Sequence, residues 1–287
     1  MTAPFVTRFA PSPTGYLHRG HAFSALTAAR AAEAEGGRFL LRIEDIDAGR
    51  CRPEYEAAIY EDLSWLGLGW EEPVRRQSEH LGDYRGALER LGERGLLYRC
   101  FRTRQEVMAE IGQAPHGAGR RPPFRGGPVA AEEERRRLDA GEAFAWRLSL
   151  DAARAALDPD WDKLAFVEEG EGPNGERGLI AADPTREGDV ILARKDLGVA
   201  YHLAVVVDDA LQGVTHVIRG RDLFEAAHVQ RLLQALLGLP TPVYGHHRLL
   251  LRPDGKRFAK RDTAETLRDI RARGVTPGDL RRELGVD

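Results

Sequence analysis

Val6 to Ala10 is short and mostly apolar, and a helical stretch and a second apolar run, Phe39 to Ile43, follow it within about 40 residues. Between the first strand and the helix lies Pro11-Ser12-Pro13-Thr14-Gly15, a run of residues that resist regular structure. From Gly20 onward Ala22, Leu26, Ala29 and Ala32 recur at helical spacing until Gly36-Gly37 stops them. Strand, helix, strand at this spacing is a βαβ unit, and such a unit requires a parallel sheet. The expected fold is therefore α/β, built on a parallel sheet.

The rest of the chain divides around that unit. Pro53 to Leu66 is a predicted helix with Pro53 in its first turn, and Ser78 to Arg94 another with Ser78 as its N-cap. Residues 98–190 break the pattern and form a predicted α+β insertion. There Ala114 to Pro128 is dense in Gly, Pro and Arg, and Glu132 to Leu138 is a short charged helix. Within the insertion Ala143 to Leu150 is a predicted strand, and Pro173-Asn174-Gly175 a turn. The α/β pattern then resumes. Leu203 to Val207 is a continuous apolar run, expected to be a central strand buried on both faces, and Thr215 to Ile218 is a second. Leu223 to Leu237 is a strong helix, with Asp222 and Glu225 spaced as a capping box. The expected units are 1–97 and 191–240, two halves of one α/β domain, the insertion 98–190, and a tail 241–287 with a short strand, a basic loop and small helices.

Charge and cysteine content exclude several classes of function. Forty-two basic residues against 45 acidic ones rule out a generally basic nucleic-acid coat, although not a local basic face. Two cysteines, Cys51 and Cys100, cannot build a disulfide framework or a multi-cysteine zinc site alone. No apolar run approaches the roughly 18 residues of a membrane span. The first residues lack a basic region followed by an apolar stretch, so no secretory signal is expected and the cytoplasm is the expected compartment.

Four segments carry candidate chemistry. Arg8-Phe9-Ala10-Pro11-Ser12 and the following residues to His21 join the first strand to the first helix, where ligands of open parallel sheets bind. A helix N-terminus there favours phosphate. His18 and His21, at i and i+3, can face one ligand, and Gly20 leaves room for a nucleotide. Two surface histidines, or half of a metal site, remain the alternatives. Arg42-Ile43-Glu44-Asp45-Ile46-Asp47 ends the second strand, where a buried carboxylate needs a cation such as a substrate ammonium; a surface turn with local ion pairs is the alternative. Tyr201 precedes the apolar run and Arg219-Gly220-Arg221-Asp222 ends the next strand, where an arginine can grip a carboxylate through two hydrogen bonds. Asp222 reads equally well as a helix cap, and Asp208 and Asp209 as strand terminators. Gly255 to Arg261 holds four cationic residues in seven, including Lys256 and Lys260, two of only four lysines in the chain. It suits either a phosphate-neutralising loop or a solvated basic one. Gly170-Glu171-Gly172-Pro173-Asn174-Gly175 fits the pattern G-x-G-x-x-G but opens no helix, and is discarded as a dinucleotide site.

Together these segments resemble class I aminoacyl-tRNA synthetases of the glutamyl type. RFAPSPTGYLHRGH is similar to their HIGH signature, LLRIEDID to the glutamyl RIEDTD segment, LAVVVDDALQGVTHVIRGRDL to the second half of their nucleotide-binding fold, and KRFAK stands where the KMSKS loop belongs. The likeness spans nearly the whole chain in the right order, and it implies the Rossmann-like nucleotide-binding fold of that family, with 1–97 and 191–240 as the two halves of the catalytic domain. Only residues 262–287 follow Arg261, too few for a large anticodon-reading domain, so the chain is closest in form to the short, glutamyl-Q branch of that family.

The resemblance implies L-glutamate, ATP and Mg²⁺ as reactants and cofactor, queuosine in the anticodon stem-loop of tRNA(Asp) as acceptor, and a monomer. It implies that Arg8 to Ser12, Glu44, Tyr201 and Arg219 hold glutamate, with Arg8 on the side-chain carboxylate and Glu44 on the ammonium. It also implies that His18, Gly20, His21 and Lys260 serve ATP, with His18, His21 and Lys260 catalytic. The zinc-binding form of the family has Cys-x-Cys, then Tyr and a further Cys. Tyr98-Arg99-Cys100-Phe101-Arg102 keeps one cysteine, and none follows, so no structural zinc is expected. Ala259 stands where the KMSKS loop commonly has a hydroxyl residue. A minimal glutamyl-tRNA synthetase, a non-catalytic tRNA-binding paralogue and a small-molecule nucleotidyltransferase are the competing readings.

Overall fold

The computed structural model describes residues 4–103, 105–107, 123–194, 198–250 and 265–286. The βαβ unit forms as expected: β1 (Val6–Phe9), α1 (Arg19–Ala34) and β2 (Arg38–Ile43), with β1 and β2 parallel and Val6 opposite Arg38. Helix α2 (Pro53–Trp65) leads to β3 (Glu71–Arg76), which pairs parallel on the far side of β2. Helix α3 (Leu81–Glu93) follows a 3-10 turn, Gln77–His80. Ser78 is not its cap, because the Ser78 backbone N–H and hydroxyl are both bound to Asp45, at 2.8 and 2.5 Å.

A second set of strands continues the sheet. β6 (Ala165–Glu168), β7 (Gly178–Ala181), β10 (His216–Gly220) and β11 (Val243–His247) are ordered β10-β11-β6-β7, with β10, β11 and β6 parallel and β7 antiparallel. Thr215 joins the two sets. The Val6 N–H donates to its hydroxyl at 2.9 Å, and the Thr215 N–H donates to the Val6 carbonyl at 2.9 Å. The junction places β10 beside β1, on the side away from β2. Connections thus leave β1 in one direction and β10 in the other, the switch point at which open α/β sheets bind ligands.

A third, antiparallel sheet lies in and beside the insertion. β4 (Leu97–Cys100), β5 (Ala145–Leu148), β8 (Ile191–Arg194) and β9 (Gly198–Val199) are ordered in that sequence. Two helices, α4 (Ala131–Asp139) and α5 (Leu150–Leu157), accompany it.

The apolar run at Leu203–Val207 is not a strand. It lies inside helix α6 (Tyr201–Leu211), whose residues from Leu203 to Asp209 are all buried. A helix apolar on every side is a core helix, and periodicity cannot tell it from a two-sided strand. It packs with α3 and with α7 (Phe224–Leu237) in a cluster that includes Tyr84, Leu91, Val229, Leu232 and Leu236. Asp222 does not cap α7: it sits in a 3-10 turn, and the N-cap position is Leu223 without a side-chain bond. The chain ends in α8 (Leu267–Ala272) and α9 (Pro277–Leu284), each opened by a threonine–aspartate capping box. Leu267, Ile270, Leu280 and Leu284 join the core beneath α1 and β2. No helix among the described residues is long and apolar enough to cross a membrane.

Candidate functional site

A cleft of about 850 Å³ opens at the carboxyl ends of β1, β2 and β10. Arg8, Phe9, Ala10, Pro11, Ser12, His21, Glu44, Tyr201 and Arg219 all line it. Residues from four distant segments thus converge where strand order reverses. The loop after β1 is laced to the one after β2: the Glu44 N–H donates to the Pro11 carbonyl and the Arg52 N–H to the Pro13 carbonyl, each at 3.0 Å.

His18 and Gly20 are not on the cleft wall. His18 is the N-cap of α1. Its Nδ1 accepts the Gly20 N–H at 3.1 Å, while His21 Nδ1 accepts the His18 N–H at 3.2 Å. The two rings stack with centroids 3.9 Å apart. This reciprocal cap satisfies donors that a helix start leaves open, and it orients His21 toward the cleft. A Cβ at Gly20 would lie 3.0 Å from the His18 ring, so the capping imidazole by itself favours glycine there.

Beneath the wall formed by the ends of β1 and β2 lies a buried group of charges. Arg8 donates to both oxygens of Asp209, at 3.0 and 3.3 Å. Arg42, fully buried, donates to Asp209 at 2.7 Å, to Gln212 at 3.0 Å and to Glu44 at 3.1 Å. Burial pushes the Asp209 carboxyl upward, but Arg8 and Arg42 outweigh it and hold the group below the usual carboxylate range. Glu44 goes the other way. Burial raises its pKa more than Arg42 and Arg8 lower it, so its carboxylate lacks enough positive charge. An ammonium delivered into the cleft would supply it. Asp208, the neighbour of Asp209, lies 3.7 Å from Arg42 and takes its hydrogen bonds from the other side, where Arg75, Gln77 and Tyr84 donate to it at 2.7, 2.8 and 2.9 Å. Neither aspartate terminates a strand; both are charge anchors one turn from the end of α6. Their buried role was missed because the run before them reads as a strand.

The opposite wall comes from β10 and α6. Arg219 donates through Nε to His246 at 3.0 Å, through Nη1 to the Tyr201 hydroxyl at 3.4 Å and through Nη2 to the Leu223 carbonyl at 3.0 Å. A guanidinium has five N–H groups, so two remain for a ligand. His202 beside it is neutral: burial first, and Arg219 second, push it down to about 4.

The third wall comes from the insertion and from β8 just after it, which no motif singled out. Arg147, Val190, Ile191 and Arg194 line it. Asp189 fixes this wall by accepting from the Tyr98 hydroxyl at 2.9 Å, the Gly126 N–H at 2.9 Å and the Leu150 N–H at 3.1 Å. Phe124 packs with Tyr98, Cys100 and Val107, and the Arg147 guanidinium lies 4.4 Å from the Phe124 ring centroid. Cys100 is thus part of an apolar cluster. Lys260 and the basic loop around it lie outside the described residues, as does most of Ala114 to Pro128. Glu265, the first described residue after the basic segment, pairs with Arg19 at the start of α1, and the Leu267 N–H donates to the Leu17 carbonyl at 2.8 Å.

Among the described residues no three His, Cys, Asp or Glu side chains come together to hold a metal ion. Asp47, the remaining acid on the cleft wall, is paired with Arg50 at 2.6 Å. The described donor set does not fit a resident metal; Mg²⁺ expected with ATP would belong to its phosphates.

Residues 4–285 match the family of class I tRNA synthetases (E and Q), catalytic domain. A glutamyl-Q tRNA(Asp) synthetase of Rhodobacter capsulatus is 48% identical over 98% of this chain and 100% of its own length. A glutamate–tRNA ligase of Coprothermobacter proteolyticus is 39% identical over 96% of this chain, which spans 56% of that protein. Among solved structures, a glutamate tRNA ligase from Elizabethkingia meningosepticum in complex with its amino acid superposes with a TM-score of 0.72 at 28% identity, covering 91% of this chain and 52% of that one. The loop-laced strand ends, the convergent cleft and these likenesses agree, and the chain belongs to the class I tRNA synthetases of the E and Q type, as their catalytic domain.

Proposed function

We propose that this chain activates L-glutamate with ATP and transfers the glutamyl group to queuosine in the anticodon of tRNA(Asp). The observation that carries the reading is the match, end to end, to a relative that bears the name glutamyl-Q tRNA(Asp) synthetase, at 48% identity. The cleft supports the glutamate part, because Glu44 wants an ammonium and Arg219 keeps two N–H groups for a carboxylate. The same reading takes the protein as a monomer at work in the cytoplasm, where tRNA resides.

In this reading Arg8, through the N–H groups not given to Asp209, and Arg219 take the two ends of glutamate that carry negative charge, and Glu44 takes the ammonium. The α-carboxylate is already ionised, so no general base is needed. Its oxygen attacks the α-phosphorus in line, a P–O bond forms, and pyrophosphate leaves with the electron pair of the bond that breaks. Charge builds on phosphate oxygens beside the N-terminus of α1 and His21, with His18 fixing the helix start, and Lys260 is assigned its neutralisation from the sequence pattern alone. A queuosine hydroxyl then attacks the mixed anhydride. AMP leaves, and its phosphate can accept the hydroxyl proton.

The test is transfer of labelled glutamate to tRNA(Asp) with queuosine, tRNA(Asp) without it, and tRNA(Glu). Label on queuosine-containing tRNA(Asp) alone is the expected result. Label on the 3′ end of tRNA(Glu) would replace the reading with a minimal glutamyl-tRNA synthetase. No transfer, together with no glutamate-dependent ATP–pyrophosphate exchange, would leave a tRNA-binding paralogue.

A further inference from the structure

Arg219 is held from behind by two side chains that no motif marked. Its Nε–H can only donate, so His246 Nε2, 3.0 Å away, must accept. That fixes the proton of the neutral imidazole on Nδ1, which donates to Glu168 at 2.5 Å. The other Glu168 oxygen accepts the backbone N–H groups of His246 and Gly170, both at 2.8 Å. Glu168 and His246 are each 1% exposed and Arg219 is 5% exposed. A buried carboxylate, imidazole and guanidinium thus stand in line, ending at the cleft. The Tyr244 ring also lies 5.2 Å from the guanidinium carbon.

The backbone is shaped for this arrangement. β6 pairs with β11 through Glu168 and Tyr244, and the chain after β6 folds over β11: the Glu169 N–H donates to the Tyr244 carbonyl at 2.7 Å and the Glu171 N–H to the His246 carbonyl at 2.9 Å. A Cβ on Gly170 would lie 2.3 Å from the His246 carbonyl oxygen and 2.8 Å from Glu168 Oε1. Glycine is required there by close approach. The discarded G-x-G-x-x-G pattern therefore begins on a residue whose work is to seat Glu168 against His246.

We propose that Glu168 and His246 are positioning residues for glutamate recognition, acting through Arg219. The carboxylate selects the imidazole tautomer and the imidazole aims the guanidinium, so that its two remaining N–H groups meet the substrate carboxylate ready-oriented. The proposal rests on Arg219 being a glutamate ligand. A Glu168→Gln side chain can present an N–H to Nδ1. The imidazole would then carry its proton on Nε2 and set donor against donor at Arg219 Nε.

The experiment is ATP–pyrophosphate exchange in the presence of queuosine-containing tRNA(Asp), with KM measured separately for glutamate and for ATP, and a thermal melt for each protein. Glu168→Gln and His246→Leu are expected to raise the glutamate KM about tenfold and leave the ATP KM within about twofold, the size of one lost charge-assisted hydrogen bond. His246→Gln, whose amide oxygen can accept from Arg219, should stay within about threefold of the parent. Arg219→Ala separates the two levels of inference. If it raises the glutamate KM while Glu168→Gln, His246→Leu and His246→Gln do not, the relay is refuted and the glutamate site stands. If Arg219→Ala itself leaves glutamate KM unchanged, the reading beneath the relay fails. Equal losses in glutamate and ATP KM, or no rescue by His246→Gln, would reduce Glu168 and His246 to fold elements and overturn the proposal.

Discussion

Arg8 and Asp209 lie 201 positions apart and meet in a buried two-pronged ion pair, with Nε and Nη2 at 3.0 and 3.3 Å from the two carboxylate oxygens. Arg42 reaches the same carboxylate at 2.7 Å from the neighbouring strand. One aspartate from a core helix thus sets the position of two arginines at the carboxyl ends of adjacent strands. It prevents Arg8 from swinging freely in the cleft and leaves Glu44, on the far side of Arg42, short of positive charge.

Asp209→Asn keeps the shape but removes the charge shared by Arg8 and Arg42. Breaking a buried ion pair on one side leaves a desolvated charge uncompensated, typically at about 3–5 kcal/mol. Urea unfolding should show a loss of that order. A loss below about 1 kcal/mol would mean that Glu44 and Asp208 balance both arginines without Asp209, and the shared-anchor account would be wrong.

Arg219→Ala should weaken glutamate binding by roughly 10- to 100-fold, the range for losing a hydrogen-bonded charge partner. Glutamine should bind weakly to the unaltered protein for a related reason: it lacks the second negative charge and leaves buried guanidinium charge poorly paired. Calorimetry with each amino acid checks both statements, and unchanged binding to the variant would remove Arg219 from the site.

His18 and His21 should separate. His18 accepts the Gly20 N–H as a helix cap, whereas His21 faces the cleft. His18→Ala should lower stability by about 1 kcal/mol, and His18→Asn, an alternative cap, should restore most of it. His21→Ala should slow adenylation with a smaller effect on stability. Adenylation lost in His18→Asn despite a restored melting temperature would show that His18 does more than cap.

The chain shows its site more openly than its core. Pro11 to Gly15 between an apolar strand and a small-residue helix forces a loop at a sheet end, so Arg8 to Ser12, His21 and Glu44 could be placed in the cleft from local pattern. Leu203 to Val207 reads as a central strand and is a core helix, because a stretch apolar on all sides has no period. The error carried Asp208 and Asp209 with it, since two acids after a strand look like its end, but on a helix they face Arg75 and Arg8 in different directions. Glu168, Asp189 and His246 left no local signal at all. The contacts that define their roles, Glu168 and Arg219 with His246 and Asp189 with Tyr98, Gly126 and Leu150, span 27 to 91 positions and form only in the folded chain.

Lys260→Ala should slow adenylation by about 100- to 1000-fold, the effect of deleting one donor to developing charge, with little change in glutamate affinity. The expectation comes from the position of KRFAK in the sequence, with half of all lysines within that loop. Pre-steady-state adenylate formation measures it directly, and an unaltered rate would transfer the charge-stabilising role to other groups.

Asp62, on α2, is fully buried, and neither carboxylate oxygen has a hydrogen-bond partner among the described residues. Burial pushes its pKa up to about 6 from an ordinary 3.8, with Arg271 and Arg268 opposing and Glu61 adding to the rise. The folded state therefore holds this proton more tightly than the unfolded chain does. Below about pH 3.8 both states are protonated, and the group subtracts nothing. Between there and about pH 6 the unfolded chain ionises first, so stability falls as pH rises, and above that the loss is complete. Two pKa units correspond to roughly 3 kcal/mol, at the order-of-magnitude level. Asp62→Asn removes the titration, so its advantage in urea unfolding should grow between about pH 4 and pH 7, reaching roughly 1–3 kcal/mol. An advantage that is the same at both ends of that range would show that Asp62 does not titrate in the fold, and that the arginines of α8 neutralise it despite its burial.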